Sequence, residues 1–253
     1  MMSNLSEKIE HSWIELEHLD HIAVSSKQDV VKRLYGNRCP IELSGPFTKD
    51  QVPEKKFSAS MCEEELEELL RYIDIQPKSC LEVGSHQGDT AILIARTLNI
   101  PVVCVDTWLG GPVLWHEAVP DNFLNMKKDE QFPITKFFTR FAANVTFSGT
   151  LDLVTCIQQP SSTALRVLAA RGLQFDLIYI DGSHDYIDVY IDLVLSTKLL
   201  TKHGVLLGDD FQNSNVRAAV MDYSKEVNKK VIEVPITAFG KDRCRKYFAI
   251  KSS

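Results

Sequence analysis

The chain has 253 residues, 44% of them hydrophobic and 25% charged, and a formal net charge of −6. That length suits one sizeable α/β domain with an elaboration. Its 28 Lys and Arg residues are scattered, and the densest basic cluster, KDRCRK at 241–246, reads as a solvated loop rather than a nucleic-acid grip.

Taken along the chain, residues 1–59 predict helices near 5–19 and 27–35, then a polar stretch through Pro40, Pro46 and Pro53: an amino-terminal helical cap or lid without its own core. MMSNLSEKIEHSW has no apolar stretch of the kind a secretory signal carries, and no run reaches membrane-span length. The main domain is expected over 60–253. Ser60 and Glu63 have capping-box spacing, and Leu66, Leu69, Leu70 and Ile73 recur at helical period. Strand 79–84, helix 89–98 and strand 101–107 follow. A segment at 108–149, rich in aromatics (Trp115, Phe123, Phe132, Phe137, Phe138, Phe141) and holding His116, interrupts the alternation and is expected to be a lid insertion. Then come strand 151–158, a helix from Ser162 to near Gly172, strand 175–181, helix 186–200 and strand 204–210. A helix carrying Val216, Ala219, Val220, Tyr223 and Val227 precedes KVIEVPI (230–236) and KYFAIK (246–251). No helix-length segment separates those last two, so they should pair antiparallel. The expected fold is a Rossmann-like, seven-stranded, mostly parallel α/β sheet with helices on both faces.

Cysteines stand at 39, 62, 80, 104, 156 and 244 without a C-x-x-C pair, and Cys80, Cys104 and Cys156 lie in or beside apolar runs. Buried free thiols of this kind predict a reducing compartment, the cytoplasm by default, with neither disulfides nor zinc.

Two segments carry the chemistry. FDLIYIDGSHDY (175–186) and GVLLGDDF (204–211) are apolar runs that end abruptly in carboxylates. Parallel strands read this way, and open α/β sheets place ligands at their carboxyl ends. Asp181, Asp209 and Asp210 would therefore meet in one crevice, where three carboxylates repel unless a cation or protons intervene. A divalent metal held by these three, with His184 as a base beside it, is the economical reading. Any one such acid would more often cap the following helix; the three together favour a site. Asp185 and Asp192 read as helix-start charge and solvent face. Hard oxygen ligands favour magnesium.

LEVGSHQGDT (81–90) occupies the first strand-to-helix turn. Gly84 and Gly88 permit a tight turn and close backbone approach, although the spacing is G-x-x-x-G rather than that of dinucleotide sites. Glu82 suits a cationic ligand better than a pyrophosphate. Asp106 ends the next strand about 22 residues after Gly84, where an acid accepts from ribose hydroxyls. Together these describe a ribonucleoside with a positively charged tail, as in S-adenosylmethionine. Thr107 and Trp108 follow Asp106; Trp108 either walls the adenine or simply packs. Ser161 and Ser162 stand where they would bond adenine or cap a helix.

LEVGSHQGDT, VCVDTW, FDLIYIDGSHDY and GVLLGDDF, in this order, resemble class I S-adenosylmethionine-dependent methyltransferases over about residues 61–253. The likeness is to the metal-dependent macrocin O-methyltransferase branch, with cephalosporin hydroxylase-like proteins as cousins. The resemblance implies that Glu82, Gly84 and Ser85 border the methionine portion and that Asp106 binds ribose. It also implies that Asp181, Asp209 and Asp210 hold magnesium and that His184 is the base. His86 stands where many class I members have a third glycine. The expected function is metal-dependent methyl transfer to a hydroxyl of a small molecule: a sugar, polyketide, phenol or modified peptide. Two alternatives remain: a nucleotide-dependent oxidoreductase or hydroxylase on the same fold, and a non-catalytic binder of S-adenosylmethionine. Neither nucleic acid nor membrane is an expected partner, and a homo-oligomer stays open.

Overall fold

The computed structural model describes residues 20–36, 43, 45, 61–110, 136–235 and 246–252. The expected helix at 5–19, Ser60, Trp115, His116 and most of KDRCRK lie outside the described residues.

A two-residue strand β1 (Ile22–Ala23) leads into helix α1 (Lys27–Tyr35). Ser26 and Asp29 close a reciprocal cap there: the Asp29 amide donates to the Ser26 hydroxyl and the Ser26 amide to the Asp29 carboxylate. Helix α2 (Glu63–Tyr72) starts with the Cys62 amide donating to Glu65 at 2.9 Å. Then come β2 (Cys80–Val83), α3 (Asp89–Leu98), β3 (Val102–Asp106) and α4 (Lys136–Ser148). The chain continues through β4 (Val154–Gln158), α5 (Ser161–Ala170), β5 (Leu173–Ile180), α6 (Tyr186–Thr197) and β6 (Leu200–Gly208). It closes with α7 (Ser214–Glu226), β7 (Ile232–Pro235) and β8 (Lys246–Lys251).

The sheet runs β4-β3-β2-β5-β6-β8-β7, with β1 paired to the start of β5. Strands β2 to β6 are mutually parallel, and β8 lies antiparallel between β6 and β7. The architecture is the expected Rossmann-like sheet with an eighth strand, β1, that no periodicity announced. Helices α2, α3 and α4 cover one face and α1, α5, α6 and α7 the other, each over its own buried apolar cluster.

Element ends differ from expectation for identifiable reasons. Strand β5 begins at Leu173 because Leu173 and Gln174 pair with Ile22 and Ala23. Strand β6 begins at Leu200, opposite Phe175, and the register shifts between Phe175 and Leu177, so the polar Lys202-His203 stretch is strand. Residues 136–148, counted with the insertion from sequence, form a helix whose Phe137, Phe141, Ala142 and Val145 sit in the second core.

The register positions the functional edge. Val83 pairs with Val105 and Ile180, and Ile180 with Gly208. The residues that follow, Gly84, Asp181 and Asp209, therefore leave the sheet side by side.

Candidate active site

At that edge the β2–α3 loop and the β5–α6 loop touch. Gly84 has φ of +90°, and a Cβ there would lie 2.2 Å from the Asp181 carbonyl oxygen. Only glycine permits this approach. The Gly84 amide donates to the Val105 carbonyl and the Asp181 amide to the Val83 carbonyl, both at 2.8 Å.

Asp106 ties the first loop to the tail of β3. Its carboxylate accepts from the His86 and Trp108 amides, each at 2.7 Å, while the Trp108 indole donates to the His86 carbonyl at 2.6 Å. Each Asp106 oxygen keeps a lone pair for a ligand hydroxyl. His86, Trp108 and Asp210 all hold positive φ (44°, 54° and 56°), a conformation uncommon outside glycine that concentrates at functional turns.

One cavity of about 590 Å³ runs along this edge, within the range of small-molecule sites. Its walls include Glu82, Gly84, Ser85, Asp106, Thr107, Trp108, Ser161, Ser162, Asp181, His184 and Asp210. Gly88 stands behind the wall, where a Cβ would meet the Phe141 ring at 2.8 Å. Trp108 packs at 5.1 Å and 4.7 Å from the Phe138 and Phe141 rings, so it is core and cavity wall at once.

Glu82 is 1% exposed, and its Oε2 has no hydrogen-bond partner among the described residues. Burial pushes its carboxyl up to about 8; the Ser85 hydroxyl opposes and the Asp106 charge adds. A buried carboxylate with one open oxygen in a cavity wall fits a cationic ligand group, which would offset the desolvation it bears.

Asp181, His184 and Asp210 converge, with one ligand atom from each within 4.8 Å of the others. His184 Nε2 lies 2.8 Å from an Asp210 oxygen, a pairing that raises the imidazole pKa while burial opposes it. Asp209 does not join them. It is buried beneath, accepting from the Tyr179 hydroxyl at 3.4 Å and from the Asp210 amide at 2.7 Å. Successive residues at a strand end point to opposite sides, so the adjacent acids divide: Asp209 turns inward, and Asp210, at positive φ, faces the crevice.

His86 and Asp192 are among the other residues of the wall. His86, mostly buried with its ring 4.6 Å from Phe137, has its imidazole pKa lowered by burial, against opposing pulls from Asp106 and Asp89. Asp192 is 3% exposed rather than on a solvent face, and forms the wall with Asp188 and Ile191 at helical spacing. The available signal was its helix: YIDVYIDLVLST is apolar nearly all round, so its acids needed a reason.

A family model described as a methyltransferase domain matches residues 81–211, more than half of the chain. No curated protein matches the chain. Among solved structures, an O-methyltransferase from Bacillus cereus in complex with SAH is 16% identical, with a TM-score of 0.54 over 80% of this chain and 85% of that one. The cofactor-bound Rv0187 from MTB is 17% identical, with a TM-score of 0.54 over 79% and 83% of the two chains. The O-methyltransferase TomG from Streptomyces achromogenes, involved in tomaymycin synthesis and in complex with SAM, is 16% identical, with a TM-score of 0.50 over 74% and 78%. At these identities the likeness is one of fold. No helix among the described residues is long and apolar enough to cross a membrane.

Proposed function

This chain belongs to the methyltransferase-domain family, and we propose that it transfers a methyl group from S-adenosylmethionine to a hydroxyl of a small molecule, with a divalent cation at Asp181 and Asp210. One observation carries this reading. A single cavity joins the buried Glu82, with its one open oxygen, to the Asp181–His184–Asp210 cluster. The first suits the cationic methionine portion of a methyl donor, and the second suits activation of an acceptor.

Each residue then has a task. Glu82 takes the donor's ammonium, Asp106 its ribose hydroxyls, and the Gly84 turn lets backbone approach the ligand. Gly88, Ser85, Thr107, Trp108 and Ser162 shape or border the same channel. Asp181 serves both halves, because its backbone touches the Gly84 turn while its carboxylate faces His184 and Asp210. The two carboxylates offer hard oxygen donors of the kind that magnesium or manganese accepts, with the His184 imidazole beside them. When bound, the cation would lower the pKa of an acceptor hydroxyl held against it. Asp209 holds Asp210 in place through the Asp210 amide. With Nε2 of His184 engaged by Asp210, Nδ1 is left to take the acceptor proton. The rigid edge keeps nucleophile and methyl carbon in line.

The test is isotopic methyl transfer to a library of hydroxylated small molecules, with and without chelator. We expect labelled methyl ethers that chelator abolishes and magnesium restores. Label transfer that persists after verified metal removal would refute the cation. Absence of any transfer, together with no S-adenosylhomocysteine binding by calorimetry, would refute the methyl donor.

A further inference from the structure

We propose that Asp192 reads the base of the methyl donor: its Oδ1 accepts the hydrogen bond of adenine's exocyclic amine, making this helix residue a specificity determinant of the nucleoside pocket. The inference rests on the methyl-donor reading above and adds to it a residue from outside the four sequence motifs.

Asp192 stands on α6, on the same helical face as Asp188 and Ile191, and the three form one wing of the cavity. It is only 3% exposed, and its Oδ1 has no hydrogen-bond partner among the described residues. The other oxygen, Oδ2, lies 3.7 Å from where a Gly182 Cβ would be, so the carboxylate sits directly beneath the β5–α6 loop. A larger side chain at 182 would cover it; glycine leaves it open to the cavity. A carboxylate oxygen so placed is costly unless a ligand donor reaches it. Burial, with Asp188 adding and the Ser161 hydroxyl opposing, pushes the carboxyl up to about 7, consistent with a missing partner.

The surroundings say what the donor is attached to. Sheet order is β4-β3-β2-β5, so a ribose on Asp106 at the end of β3 sits beside the β4–α5 loop. There Pro160 and Ile191 supply apolar walls for a flat ring. Helix α5 starts at Ser161 with Pro160 as its N-cap and no side-chain cap bond; the Thr163 amide turns back to the Pro160 carbonyl, which leaves the Ser161 and Ser162 amide groups as donors. The wing thus presents an acceptor, Asp192, near helix-start donors. Adenine shows the complementary edge, an amine beside a ring-nitrogen acceptor. Hypoxanthine shows the reverse, a carbonyl beside a ring N–H, and would set its oxygen against the carboxylate.

The experiment is calorimetric titration of S-adenosylhomocysteine and of S-inosylhomocysteine into the wild-type protein and into Asp192→Asn. The wild type should prefer the adenosyl ligand by about tenfold or more, the scale of one buried hydrogen bond lost. The side-chain amide introduced by Asp192→Asn is a donor that can face the hypoxanthine oxygen, so this variant should shrink or reverse that ratio. Because the readout is a ratio of two ligands on one protein, a change in overall stability cancels from it. Asp192→Ala, checked by circular dichroism, should lose adenosyl affinity while inosyl affinity stays level or rises, because the carboxylate that opposed the hypoxanthine oxygen is gone. A wild type indifferent to the base, or a variant that keeps the wild-type ratio, overturns the assignment. No binding of either ligand to the wild type removes the methyl-donor reading itself, a distinguishable failure.

Discussion

Glu82 stands in the middle of a parallel sheet, where a carboxylate is expensive, and its pKa of about 8 records that expense. The sign has two consequences. Its folded pKa exceeds the ordinary value, so its contribution to stability is complete below about pH 4.5 and is lost as pH rises toward 8. Near pH 7 the free protein holds the proton, and a ligand ammonium beside Glu82 should drive it off. Calorimetry of S-adenosylhomocysteine at pH 7, repeated in buffers of different ionisation enthalpy, should therefore show net proton release. Glu82→Gln should cut that release and weaken binding; equal release in the variant would place the ammonium elsewhere. His184 belongs to the other end of the cavity. His184→Ala should lower kcat by roughly 10²–10⁴-fold, while S-adenosylhomocysteine affinity barely moves. A variant with near-normal kcat would mean that solvent, not the imidazole, carries the proton away. At this scale the sequence is legible wherever an apolar run stops at an acid. Asp106, Asp181, His184 and Asp210 stand out that way, and all line the cavity. Asp209 falls in with Asp210 on sequence alone, because adjacency does not say which side of a strand end a residue takes. Asp192 reads as solvent face from sequence, although it is buried, because an apolar helix gives no phase from which to tell its buried face.

The loops and helices around these residues are held by contact rather than by length. The Gly84 turn meets the Asp181 carbonyl so closely that no side chain fits between them. Gly84→Ala should destabilise the protein by more than about 1 kcal/mol, since the new methyl meets both a backbone atom and a positive φ. It should also weaken donor and cation binding together, because both loops would have to part. Denaturant unfolding and calorimetry check this; a variant of wild-type stability would show that the loops part freely. Helix α6 is fastened on its far side as well, where Tyr186 bonds Asp222 at 2.9 Å and Tyr190 bonds Glu226 across to α7. That fixes the face on which Asp188, Ile191 and Asp192 reach the cavity. The strand–helix alternation is readable because buried parallel strands are short, apolar and sharply ended. Strand β1 is not, because two residues have no period, and the start of β6 is masked by a polar Lys202-His203 stretch that stays in the sheet.

Across the whole molecule, β8 takes an interior place: the strand latest in sequence lies between β6 and β7. Tyr247, Phe248, Ala249 and Ile250 are buried, and the Phe248 ring lies so close over Gly208 that a Cβ there would be 2.2 Å from it. Phe248→Ala should cost about 3–5 kcal/mol, read as a shifted denaturation midpoint. Removing residues 246–252 should abolish cooperative unfolding, because β7 would lose its only sheet neighbour among the described strands. Retention of a cooperative transition would show that the parallel half stands alone. This threading has a further consequence in time. The ribosome delivers β8 after every strand it must join, so the emerging chain carries β6 with one edge unpaired while β7 waits for its partner. Such bare edges are the usual seeds of aggregation. Yield from rapid, warm expression should suffer more than yield from slow, cool expression, and a chaperone that shields strand edges should narrow the gap.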